Sequence, residues 1–267
     1  MTPTRSETPQ TSQRRIVKNN NMLRRQFNEL GVGDVVLGRV RMKPSEEFLL
    51  LDLVERGVVL YPSALSQQVC RSKVQQAVLF SSFMLPHTCA IHDQHDIMAA
   101  VNLYDRHEIS KVVTKLDRKN AGMGIHLWQS IEDVFTQASL GVLPFPFVVQ
   151  PFLAESQDVR VVILGEYKEA YSRKNPYNFR NNLHCGGRSE PCVLSGEQWH
   201  LCHKVMERGK FPYAHIDLMV NGATSYLAEI NLRGGIRGAA ITPVEYTEKM
   251  ETLHAEALEK IGEEGLG

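Results

Sequence analysis

This sequence lacks both a disulfide framework and an apolar run long enough to span a membrane. Cys70, Cys89, Cys185, Cys192 and Cys202 are odd in number, irregularly spaced and without a CxxC pair, which fits reduced thiols and excludes a disulfide scaffold. No apolar run reaches the roughly 18 residues of a bilayer span; the best, Gly141 to Leu153, carries three prolines and Gln150. The N-terminal stretch is polar and lacks the apolar core of a secretory signal, so a cytoplasmic protein with no membrane partner is expected. Charge of one sign is also missing. Thirty Lys and Arg balance thirty Asp and Glu, so the overall field gives no reason to expect nucleic acid, although a local basic patch stays open. There is no GxxxxGK[ST], no GxGxxG and no internal repeat, which excludes P-loop and Rossmann assignments. What remains is a hydrophobic fraction of 43% and a charged fraction of 22% over 267 residues, enough for one large domain or two smaller ones.

Periodicity and punctuation suggest an α/β order. Helices are expected over Asn21 to Leu30, Phe48 to Val54 and Lys73 to Met84, with strands at Val35 to Val40 and Val58 to Tyr61. Strands Lys111 to Leu116 and Ile125 to Trp128 flank a glycine-containing loop, and Ser130 opens a helix with Glu132 and Asp133 in its first turn. Phe147 to Phe152 reads as a buried strand. Val159 to Leu164 and Lys168 to Arg173 read as a hairpin. A helix over Ser195 to Arg208, with Ser195 as its cap, should have Gly209 just beyond its end. The last hairpin, Ala214 to Val220 and Ser225 to Asn231, turns at Asn221-Gly222, and a final helix runs from Pro243 to Ile261, with Gly262 beyond it.

Three features carry chemistry. Glu229 and Asn231 are two apart on one strand and share a face, while the turn folds Asp217 toward them. Two carboxylates and an amide suit Mg²⁺, with Mn²⁺ as an alternative; a solvated strand face is the competing reading. Lys115 ends an apolar strand before Asn120-Ala121-Gly122-Met123-Gly124, where backbone N–H groups near Gly122 and Gly124 are able to meet an anion; an ordinary turn competes. Arg173, Lys174 and Arg180, set among Asn178, Asn181 and Asn182, suit phosphate oxygens, against a plain basic loop. His92-Asp93-Gln94-His95-Asp96 looks metal-like but reads as a polar loop, and the remaining Cys and His residues match no zinc spacing.

Asp158-Val159-Arg160 and Phe179-Arg180-Asn181-Asn182-Leu183-His184-Cys185-Gly186-Gly187, with Asp217 and Glu229-Ile230-Asn231, resemble the ATP-grasp ligases and, within them, the RimK-like branch. The likeness covers roughly Cys70 to Ile261. It implies an ATP-grasp fold of the α/β (α+β) class, two α/β subdomains clasping ATP between antiparallel sheets. Residues 1–20 would be a polar disordered tail and 21–70 a reduced N-terminal α/β region. The ATP-grasp domain would span 71–267, with a first lobe at 71–146 and a C-terminal lobe at 147–267. By the resemblance, Lys73 and Lys115 hold nucleotide phosphates, Gln150, Pro151, Phe152 and Leu153 form the adenine hinge, and Glu155 or Asp158 meets the ribose. Asp217, Glu229 and Asn231 hold magnesium. Two departures stand out: Pro151 replaces the usual Glu and offers no N–H, and Asn231-Leu232-Arg233-Gly234-Gly235 replaces Asn-x-Ser-Pro-Gly.

The implied activity is an ATP- and Mg²⁺-dependent carboxylate–amine ligase acting through an acylphosphate, with Arg173 and Arg180 stabilising the transferring phosphoryl group. An amino acid, peptide or protein tail would be the acceptor, and homo-oligomers are compatible with the family. The alternative is a non-catalytic ATP-binding sensor or scaffold, motivated by the short N-terminal region.

Overall fold

The computed structural model describes residues 14–119, 122–181, 183 and 186–264. Among them the chain builds three sheets, each with its own apolar core. The first is parallel, β1 (Ile16–Val17), β2 (Val35–Leu37) and β3 (Val59–Tyr61), in that order. Parallel neighbours need crossovers, supplied by α1 (Asn20–Gln26) and α2 (Phe48–Glu55), which bury Leu23, Leu50 and Leu53 against Val17 and Val36. β1 thus falls within the stretch 1–20 that was expected to be a disordered tail. Ile16 and Val17 pair with Val35 and Val36 because Asp34 accepts the Arg15 N–H at 2.8 Å. Residues 1–13 lie outside the described residues.

Two short helices follow, α3 (Ala64–Val69) and α4 (Lys73–Leu79), the second shorter than expected because a 3-10 turn takes over at Ser81–Phe83. The second sheet is antiparallel, in the order β4-β7-β5-β6. Its strands are β4 (Cys89–Ile91), β5 (Val112–Leu116), β6 (Ile125–Trp128) and β7 (Phe147–Pro151), covered by α5 (Gln94–Arg106) and α6 (Ile131–Ser139). Ser130 and Asp133 close the α6 terminus as a capping box. The His92–Asp96 stretch is not a free loop. Asp93 caps α5 through the N–H groups of His95 and Asp96, and Asp96 accepts from His92. Among the described residues no three His, Cys, Asp or Glu side chains form a metal-holding cluster.

The third sheet, β10-β9-β8-β11-β12, is also antiparallel. It contains β8 (Gln157–Leu164), β9 (Tyr167–Lys174), β10 (Arg188–Pro191), β11 (Tyr213–Asn221) and β12 (Thr224–Asn231), backed by α7 (Gly196–Gly209) and α8 (Pro243–Glu264). Three expected stops move. Gly209 is the last helical residue and Lys210 takes the left-handed conformation; position 209 needs glycine because a Cβ there would lie 2.6 Å from Phe211 and 2.8 Å from Phe80. Gly262 falls inside α8. In the last hairpin Asn221 pairs with Thr224, so Gly222 rather than Asn221 is the first central residue, with φ +59°. No helix among the described residues is long and apolar enough to cross a membrane.

Candidate active site

A cleft of about 1290 Å³ runs between the two antiparallel sheets, with the N-terminal unit touching one end through Arg39 and Glu47. Its anionic wall comes from the β11–β12 hairpin. Register places Asp217 directly opposite Glu229, and His215 opposite Asn231, so all four share a face. A bulge is needed for this. Asp217 pairs with Glu229 but Leu218 pairs with Leu227, which leaves Ala228 as an extra residue. Leu227 and Ile230 thereby both reach the apolar core, while Glu229 and Asn231 line the cleft. Strict alternation would have placed Leu227 and Glu229 together.

The facing cations come from three elements. Lys73, the first residue of α4, donates to Glu229 Oε1 at 3.3 Å and to the Lys119 carbonyl at 2.8 Å. Lys115, near the end of β5, donates to the Ala228 carbonyl at 3.3 Å. Burial pushes its ammonium down to about 8, with Glu229 pulling the other way. Arg160 on β8 grips Asp217 with two bonds of 2.7 and 2.8 Å. Arg173 on β9 reaches Asp158 at 2.6 Å and Asp217 at 3.1 Å. Although burial opposes its charge, Asp217 is held well below the usual carboxylate range by Arg160 and then Arg173. Burial instead raises Asp158, against the pull of Arg173.

Magnesium suits this donor set. Glu229 spends one oxygen on Lys73, and neither its other oxygen nor the Asn231 amide has a bonded partner among the described residues. Both oxygens of Asp217 already accept from guanidinium groups, so an ion would share that carboxylate with arginines. Three carboxylates, Asp158, Asp217 and Glu229, face four cations, Lys73, Lys115, Arg160 and Arg173. Hard oxygen ligands beside an excess of cations match a divalent ion that arrives with phosphates.

Gln150, Pro151, Phe152, Leu153 and Glu155 line the same cleft. The Phe152 N–H is taken by the Lys111 carbonyl at 2.9 Å. Phe179 meets Phe152 edge-on at 6.1 Å, and the Arg180 guanidinium lies 4.3 Å from the Phe179 ring centre while donating to the Ile125 carbonyl. Asn181 lines the cleft and accepts the Asn175 N–H at 3.1 Å. Gly122 lines it too, with φ +77°. Gly124 does not; a Cβ there would lie 2.7 Å from Lys119 and 2.9 Å from Leu116, so it serves the base of the loop. Asn120, Ala121, Asn182, His184 and Cys185 fall outside the described residues. Arg160 and Gln76 are among the residues of the site that received no role from sequence reasoning. Arg160 was detectable, since Asp158 and Arg160 are two apart on a strand and share a face.

Residues 70–251 match the model of the RimK-like ATP-grasp domain. A probable alpha-L-glutamate ligase 1 of Shewanella sp. (strain MR-4) is 26% identical over 210 residues, 73% of this chain and 68% of that protein. A probable alpha-L-glutamate ligase of Rhodopirellula baltica is 25% identical over 177 residues, 63% of this chain and 42% of that protein. The chain thus spans about two thirds of one relative and less than half of the other. Among solved structures, a D-alanine–D-alanine ligase from Bacillus anthracis superposes with a TM-score of 0.63 at 14% identity, covering 92% of this chain and 86% of that one, a likeness of fold. Two antiparallel sheets enclosing the cleft are the ATP-grasp architecture, and the chain belongs to the RimK-like ATP-grasp family.

Proposed function

We propose that this protein is an ATP- and Mg²⁺-dependent carboxylate–amine ligase that works through an acylphosphate. The observation that carries the reading is the meeting of Lys73 and Lys115, from the first lobe, with Glu229 and Ala228 of the acidic hairpin. Phosphate-binding cations and metal-type ligands converge there from opposite sides of one cleft. The family and the ligase names of its relatives agree with it.

In this reading the adenine edge meets the hinge through the Pro151 carbonyl and the Leu153 N–H, since Phe152 spends its own N–H on Lys111. Lys73 and Lys115 hold the phosphates, and Glu155 or Asp158 faces the ribose. Asp217, Glu229 and Asn231 would hold Mg²⁺, which when bound offsets charge on the phosphate oxygens. A substrate carboxylate oxygen attacks the γ-phosphorus, the bond to the bridging oxygen breaks, and ADP leaves. Arg173 and Arg180 stabilise the charge on the group in flight. An amine then attacks the acyl carbon, loses a proton, and expels phosphate. No side chain acts as nucleophile; positioning and exclusion of water supply the rate. The acceptor is an amino acid, peptide or protein tail.

Phosphate release in the presence of carboxylate and amine panels tests the proposal. Turnover that requires both an acid and an amine is the expected outcome. ATP binding without turnover under any combination would overturn it.

A further inference from the structure

β12 is the outer strand of its sheet, so the backbone groups on its free side have no strand to meet. Residues of an antiparallel strand alternate in the direction of their N–H and C=O groups, and around the metal ligands the outward groups belong to Ala228 and Ile230. The first lobe satisfies both. The Ala228 carbonyl takes Lys115 Nζ, and a parallel bridge joins Leu227 to Met84. Ile230, which lies between Glu229 and Asn231, is held by one side chain. Gln76 Nε2 donates to the Ile230 carbonyl at 2.9 Å, and Gln76 Oε1 accepts the Ile230 N–H at 2.9 Å. The same Nε2 also donates to the Val69 carbonyl at 3.1 Å.

Gln76 thus imitates a neighbouring strand. It is 1% exposed and sits three residues after Lys73 on α4, one turn along the same helix face. The amide therefore ties the backbone between two expected metal ligands to the helix that begins with a phosphate lysine. An apolar side chain of similar size would pack there; only a group that donates and accepts serves both backbone atoms of Ile230.

We propose that Gln76 is a positioning residue, which fixes the Glu229–Asn231 segment against Lys73 and so sets the distance between metal ligands and phosphates. This rests on the functional reading above. Replacing Gln76 by Met keeps length and volume but strands a buried N–H and C=O, so β12 must shift to recover them.

The test is calorimetric titration of the full chain, wild type and Gln76→Met, with ATP in Mg²⁺, with ATP in chelator, and with adenosine. Wild type should gain affinity from Mg²⁺. The variant should lose about tenfold of that gain, the range typical of groups that orient metal ligands, and should bind adenosine as before. An undiminished gain in the variant, or equal weakening of adenosine and ATP, overturns the inference. Absence of any Mg²⁺-dependent gain in wild type would instead sink the metal assignment, and this inference with it. A second measurement needs no variant. In the wild-type chain the Ile230 amide should exchange with solvent as slowly as the amides that β12 directs toward β11; exchange at the rate of an unpaired edge overturns the proposal.

Discussion

Lys115 concentrates the electrostatic logic of the site in one residue. Its ordinary value is 10.5 and burial brings it to about 8, so between these values the unfolded chain binds a proton that the native one does not. Stability of the nucleotide-free protein should therefore rise as pH goes from about 8 toward 10.5, while ATP affinity falls over the same range as the ammonium is lost. Urea unfolding and ATP titration across that window, repeated with Lys115→Met, check both slopes; the variant should flatten them. Glu229→Gln keeps the shape of the proposed metal ligand and removes its charge, and should abolish ATP-dependent ligation with the fold intact by circular dichroism. Gly209 illustrates a different constraint. Gly209→Ala puts a Cβ 2.6 Å from Phe211, and overpacking of this kind should cost about 1–3 kcal/mol in denaturant unfolding.

At the scale of elements, α4 is fastened at both ends of its first turn. Gln76 ties it to β12, and Asp117, just past β5, accepts from Ser72 Oγ at 2.9 Å and the Val74 N–H at 3.2 Å while facing Arg118. The carboxylate locks the lysine-bearing helix to the lysine-bearing strand. Asp117→Ala should destabilise by about 1–3 kcal/mol, because it strands a buried hydroxyl and an N–H; Asp117→Asn, which keeps an acceptor, should recover part of that in the same unfolding assay. Neither bond could be read from spacing. The sequence shows which elements are regular and where glycines punctuate them, so the hairpins β8–β9 and β11–β12 were legible within one or two residues. The bulge at Ala228 left a single trace, Leu227 and Ile230 standing three apart where alternation sets core residues two apart, too slight to fix its position. Strand β4 has three residues and β1 two, too short for a period. Helix α5 begins among His and Asp residues that resemble a loop until Asp93 is seen as its cap.

For the whole molecule, a formal charge of zero conceals a division. Thirteen Lys and Arg line the cleft against six Asp and Glu, an excess of seven positive charges that the remaining surface must balance with the opposite sign. The basic patch that composition left open is thus inside. ATP affinity should fall as salt is raised from about 0.05 to 0.5 M, whereas uncharged adenosine should be indifferent; equal dependence would contradict this division. The N-terminal unit joins the same design through Arg39 on the cleft wall and through Glu47, which pairs with Arg118 beside the glycine loop.

The outer margin of β12 has one more consequence. A strand whose free side is covered by Gln76, Lys115 and Met84 cannot recruit a strand from another molecule. Any change that lets α4 drift away would therefore do two things at once: dismantle the cleft and uncover a template for intermolecular β-pairing. Inactivation and self-association should arise together in such variants.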